Sequence, residues 1–208
     1  FPTRRSSDLW GAADPSILLA ALFGTTLAPI AGRFGWHWGI VAGLIGLALV
    51  LALWTGQRQG DLLRLSWSAY DGKTIKLKQS KTGRRVVIPV GPTLRDQLAA
   101  AKRRAITILT NTEGNTWTSD GFRASWGKAC ERAGIDEVTF HDIRGSAVTR
   151  LALAGASVPE IASLTGHSLK DAEDILQTHY LGRDVRLAEA AMRKRERKEK
   201  RTKSVKQM

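Results

Sequence analysis

The chain begins apolar, becomes patterned and ends charged. Ser16 to Trp54 is strongly apolar, and Trp38 to Trp54 carries no charged side chain. That run is borderline for a membrane span, which takes about 20 apolar residues. Gly39, Gly43 and Gly46 recur there as membrane helices tolerate. The other readings are a core helix over Leu47 to Trp54 that leads into Arg58, and a mis-assembled sequence in the glycine-rich stretch before it. From Arg64 the period shortens. Asp71-Gly72 is a turn signal between Leu65-Ser66-Trp67 and Thr74 to Lys78, where Ile75 and Leu77 alternate with lysines. Lys81-Thr82-Gly83 turns the chain into Arg85 to Pro89, which predicts a three-stranded antiparallel sheet. Leu94, Leu98 and Ala101 then recur at helical spacing, which predicts a helix over Thr93 to Ala105. Thr107 to Leu109 reads as short and extended.

The rest predicts helices. Ser119 is placed to cap one that stops before Gly134, with Phe122, Trp126, Ala129, Cys130 and Ala133 on its apolar stripe. Thr139 precedes a helix carrying His141 and Arg144 that stops at Gly155. Ser157-Val158-Pro159-Glu160 is a capping box with proline in the first turn, and its helix stops at Gly166. Ser168 with Asp171 caps the next, which carries Ile175, Leu176 and Tyr180. The expected fold class is mainly α with a small antiparallel β-sheet (α+β).

Charge changes the picture. Among 208 residues, Lys plus Arg exceed Asp plus Glu by 13. Nine basic residues fall between Met192 and Met208, against Glu196 and Glu199. A basic body with a basic tail points to a polyanion, nucleic acid by default. A solvated tail that aids solubility is the plainer alternative. The single cysteine, Cys130, permits no disulfide within the chain and suits a reducing cytoplasm.

The candidate chemistry lies in an ordered set: Arg58, Lys81, His141, Arg144, His167 and Tyr180. Two arginines can grip non-bridging phosphate oxygens through planar forks of donors. A tyrosine hydroxyl can attack phosphorus and hold a covalent intermediate. A histidine can take the tyrosine proton, and a lysine can protonate the leaving oxygen. Taken singly, each has a plainer reading. Arg58 with Asp61 could be a surface ion pair of little worth, Lys81 a turn lysine, His141 a polar core histidine and Tyr180 a buried anchor. Within the set, Asp61 would hold the Arg58 fork, and His141 and Arg144 would share a helix face. His167 would donate to a non-bridging oxygen in the transition state. Asp61, Asp142, Asp171 and Asp174 do not form the convergent carboxylates of a two-metal nuclease. No phosphate-binding GxxxxGK[ST] loop is present. Neither a metal nor a cofactor is expected.

The motifs Thr55-Gly56-Gln57-Arg58 to Leu65, Gln79-Ser80-Lys81-Thr82-Gly83, Thr139-Phe140-His141-Asp142-Ile143-Arg144-Gly145, Leu164-Thr165-Gly166-His167-Ser168 and His179-Tyr180-Leu181 occur in this order. In this respect the chain resembles the tyrosine recombinases, the phage integrase family of site-specific recombinases. The resemblance implies that Tyr180 cleaves one DNA strand, forms a 3′-phosphotyrosyl intermediate, releases a 5′-hydroxyl and rejoins the strand to a partner. It implies double-stranded DNA as partner and a homotetramer on two duplexes. The expected organisation is 1–9 as a translated sequencing-adapter fragment and 10–46 as an apolar segment outside the resemblance. Residues 47–191 would be the catalytic domain and 192–208 a basic tail. The family's N-terminal DNA-binding domain has no counterpart in this sequence. The alternatives are a truncated, non-catalytic DNA-binding remnant and, resting wholly on Trp38 to Trp54, a membrane-anchored protein.

Overall fold

The computed structural model describes residues 36–133, 135, 138–178, 189, 192–197 and 199, with side chains from residue 43 onward. Helix α1, Trp36–Thr55, forms the centre. Ile45 and every residue from Leu47 to Leu53 are buried. A helix apolar all round suits a core position, where each fully buried Leu or Ile contributes roughly 1.5–3 kcal/mol. It packs against most of the other helices. Among the described residues no helix is long and apolar enough to cross a membrane.

After α1 come the short helix α2, Gln59–Leu63, and a 3₁₀ turn at Trp67–Ala69. Strands β1, Thr74–Lys78, and β2, Arg85–Pro89, pair antiparallel with Ile75 opposite Ile88. The sheet has two strands rather than the expected three. Ser66 pairs with Thr107 and Tyr70 with Ile75 through single bridges, and the intervening residues coil into the 3₁₀ turn. The Asp71-Gly72 turn forms as expected. The Asp71 carboxylate accepts from the Lys73 and Thr74 amides and the Thr74 hydroxyl, and Gly72 takes φ +87°.

Helix α3 runs Pro92–Ala100 and stops short of Ala105. Ala101 turns extended, Arg103 stacks over Trp67 with its guanidinium carbon 4.7 Å from the ring centroid, and Ile108 and Leu109 enter the core. Helix α4, Ser119–Arg132, is capped one residue earlier than expected, by Thr118, whose hydroxyl accepts from the Gly121 amide. Its stripe buries Phe122, Trp126 and Cys130. Helices α5, Asp142–Leu153, α6, Val158–Thr165, and α7, Leu169–Leu176, follow. Both expected capping boxes form, at Ser157 and Ser168. The Asp142 carboxylate bonds the Thr139 amide and hydroxyl ahead of α5.

Two apolar clusters result. The larger joins α1 to α4, the sheet and Ile143 at the start of α5. The smaller joins Val148 and Ala152 of α5 to α6 and α7. A buried polar seam lies between them, where α1 and α6 end.

Candidate active site

The seam is built by two chain reversals of the same design. Helix α1 ends Thr55-Gly56-Gln57, and α6 ends Thr165-Gly166-His167. Each threonine hydroxyl donates back to the carbonyl four residues earlier, Leu51 at 2.6 Å and Ile161 at 2.7 Å. Each glycine is left-handed, at φ +62° and +70°. Space demands glycine as well: a Cβ on Gly56 would lie 2.7 Å from Thr165 Cγ2, and one on Gly166 would overlap the Gln79 amide.

Arg144 fills the seam. It is buried, and its Nη1 donates to Gly56 O and to Thr165 O at 3.1 Å. Terminal helix carbonyls are suited to a cation. Among the described residues its Nη2 is buried without a hydrogen-bond partner. Burial first, and repulsion from Arg58 second, push its pKa down to about 10, so it stays charged at neutral pH.

Arg58 directly precedes α2 and is half-buried. Its Nη1 donates to Gln79 Oε1 at 3.3 Å. The expected Arg58–Asp61 pair does not form. Asp61 accepts instead from the Ser80 amide at 2.9 Å, the Ser80 hydroxyl at 2.7 Å and Arg64 at 3.4 Å. The first turn of α2 aims its carboxylate at the β1–β2 turn. Asp61 therefore anchors the loop that carries Lys81 and leaves Arg58 to a neutral amide.

Gln79 connects these parts and is fully buried. Its amide nitrogen donates to Gln57 Oε1 at 2.7 Å and Thr165 O at 2.9 Å, while its oxygen accepts from Arg58 and from Thr82 at 2.9 Å. Gln57 donates in turn to Thr55 O, Leu164 O and Thr165 O. Lys81 is exposed in the β1–β2 turn, between Ser80, which bonds Asp61, and Thr82, which bonds Gln79.

His167 is buried, and its Nδ1 lies 2.7 Å from the Thr165 hydroxyl. Arg84 donates to its backbone carbonyl. Burial, then Arg144 and Arg58, push its pKa down to about 4, with Asp171 opposing and His141 adding to the depression. That mutual influence brings Arg58, His141, Arg144 and His167 to one electropositive place. His141 is exposed just ahead of α5, so it is not a core histidine, and Arg144 one turn later points inward. Tyr180 lies outside the described residues. Gln57, Gln79, Thr165 and Arg84 are parts of the site to which the motifs alone assign no role. Gln79 had a visible signal: it continues the inward-facing register of Ile75 and Leu77 but is polar. Among the described residues no group of His, Cys, Asp and Glu side chains could hold a metal ion.

Comparison with known proteins decides the family. The phage integrase family model matches residues 45–174. The chain belongs to the phage integrase family. A model for a protein family of unknown function, DUF1576, matches residues 7–60 and overlaps the integrase match over residues 45–60. The shufflon-specific DNA recombinase of Escherichia coli is 33% identical over 122 residues, which cover 56% of this chain and 30% of that protein. The integrase of Mycobacterium phage L5 is 26% identical over 170 residues, covering 69% and 46%. The chain thus spans less than half the length of these relatives. Among solved structures, the lambda integrase catalytic core aligns at TM-score 0.53 and 29% identity, over 60% of this chain and 80% of that one. A lambda integrase dimer bound to a COC′ core site aligns at TM-score 0.62 and 24% identity, over 80% of this chain and 48% of that one, a likeness of fold. This member of the family is mainly helical with a small antiparallel sheet, as a tyrosine recombinase catalytic domain is.

Proposed function

We propose that this chain is the catalytic part of a site-specific DNA recombinase, working through a 3′-phosphotyrosyl intermediate, with residues 47–191 as its catalytic domain. The observation that carries the reading is Arg144. A guanidinium is held in a seam of carbonyls with Nη2 unpaired, beside Arg58 and His167. An unpaired buried donor is costly, and a phosphate oxygen is the acceptor it suits.

In this reading Tyr180 Oη attacks the scissile phosphorus as its proton passes to His141. Arg58 and Arg144 stabilise charge on the non-bridging oxygens. The bond to the 5′-oxygen breaks, and Lys81 supplies the proton that makes it a hydroxyl. The tyrosyl ester conserves the phosphodiester energy, so attack by a partner 5′-hydroxyl rejoins the strand with the same proton transfers reversed. Duplex DNA is the partner, and the basic tail, 192–208, adds phosphate contacts. A tetramer of lambda integrase is known on a Holliday junction; the same assembly is proposed for this chain.

The second reading is a non-catalytic DNA-binding remnant. A nicked suicide substrate carrying the element's own crossover site separates the two. The wild type should form a covalent protein–DNA adduct, and Tyr180→Phe should bind DNA without forming one. An adduct with the Phe variant removes Tyr180 as nucleophile. Binding without an adduct in the wild type establishes the remnant.

A further inference from the structure

Thr165 Oγ1 lies 2.7 Å from Ile161 O and 2.7 Å from His167 Nδ1. A hydroxyl has one hydrogen to give, and a carbonyl can only accept. The threonine hydrogen is therefore committed to Ile161. The second contact is a hydrogen bond only if His167 Nδ1 carries a proton and donates it. In a neutral imidazole the other nitrogen, Nε2, then holds a lone pair and no hydrogen.

The surroundings keep the ring neutral. His167 is buried, Arg144 on α5 and Arg58 ahead of α2 repel a charged ring, and His141 adds slightly to this. Asp171 in the first turn of α7 is the opposing charge. Arg84, just ahead of β2, donates to the His167 carbonyl. The resting residue is thus a hydrogen-bond acceptor at Nε2, the reverse of the donor that a phosphate oxygen needs.

We propose that Thr165 is a positioning residue that holds the His167 proton on Nδ1, so that His167 donates to a phosphate oxygen only after Nε2 takes up a proton from solvent together with the anion. The proposal rests on the recombinase reading for the nature of the anion but not for the tautomer. An anion between Arg58 and Arg144 offsets the field that keeps the ring neutral and raises its affinity for a proton. By linkage, the anion then binds more tightly as pH falls.

The test is nitrogen-15 NMR of the full chain labelled at histidine, with inorganic sulfate as probe because it keeps its charge across the range. In the free wild type at pH 7, His167 should show a protonated Nδ1 and a lone pair at Nε2. Sulfate should raise the ring's titration midpoint by at least one pH unit, a tenfold change in proton affinity. Thr165→Ser should behave alike. Thr165→Val keeps the shape and the backbone carbonyl that Arg144 uses, but removes the acceptor for Nδ1–H. Its ring should move the proton to Nε2, and the sulfate-induced rise should shrink. A wild-type ring with its proton on Nε2 overturns the proposal, whatever the variants do. So does a Val variant that keeps Nδ1–H, or a wild-type midpoint that sulfate leaves in place. DNA cleavage is scored separately. A chain with the expected tautomer that never cleaves DNA sinks the recombinase reading alone, and a cleaving chain with the opposite tautomer sinks this inference alone.

Discussion

The ends of α1 and α6 share a plan and differ in what they deliver. At both, a threonine bonds back into its helix and a left-handed glycine turns the chain. At α1 the hydroxyl also accepts from the Gln57 amide at 3.4 Å, so it steadies backbone, and Arg58 emerges beyond it. At α6 the hydroxyl meets the ring of His167 and fixes a side chain that can change charge. One end thus supplies a permanent cation and the other a conditional one. Arg144 ties them together, because its guanidinium bonds a carbonyl from each.

The strongest way to break the pairing is to spoil either turn. Gly56→Ala and Gly166→Ala each force a side chain into left-handed backbone and into a filled space. Strain and overpacking each cost roughly 1–3 kcal/mol, so losses near the upper half of that combined range are expected in urea unfolding. Gly72→Ala has φ +87° with nothing within 4 Å of the added carbon, and should lose only about 1–2 kcal/mol. Equal losses at all three would mean that the packing of the two ends against Thr165 and Gln79 matters little.

Gln79→Leu leaves the turns intact and cuts the link between them. Gln57 Oε1 loses its partner in a buried place, which costs roughly 1–3 kcal/mol, and half-buried Arg58 loses its acceptor. Unfolding should detect this, and cleavage should slow further because the Lys81 turn and Arg58 lose their common anchor.

Much of this was legible beforehand, and the failures have physical reasons. Glycine after α1, α5 and α6, the capping boxes and the inward face of β1 are local rules, and they held. The third strand failed because Ser66 found its partner at Thr107, far along the chain. The Arg58–Asp61 pair failed because spacing gives proximity but not direction, and Ser80 offered Asp61 two better donors. The apolar run before Thr55 was ambiguous for the reason that core and membrane helices share one composition. Only the packing around Ile45 to Leu53 distinguishes them.

A smaller effect separates the conditional cation from the permanent one. His167 has its pKa pushed down from 6.5 to about 4, so between those values the unfolded chain holds more protons than the folded one. Stability should therefore fall as pH drops through this window and lose nothing further to His167 below it. The capping carboxylates Glu160 and Asp171, whose pKa values are lowered, act in the same direction but only below about pH 4.5. Between pH 6.5 and 5, thermal melts of His167→Gln should be flatter than wild type. Parallel curves would show a ring that is not held neutral.

The central claim is that Arg58 and Arg144 hold charge on the phosphate while Lys81 acts on the leaving oxygen alone. A substrate with a bridging 5′-sulfur tests this most directly, since a thiolate leaves without a proton. Replacing Lys81 by Ala should slow cleavage of the normal substrate by roughly 10²–10⁴-fold and leave the sulfur substrate nearly unaffected. Arg58→Ala and Arg144→Ala should be slow on both. Equal defects of Lys81→Ala on the two substrates would contradict the account and make Lys81 a DNA contact instead of the acid.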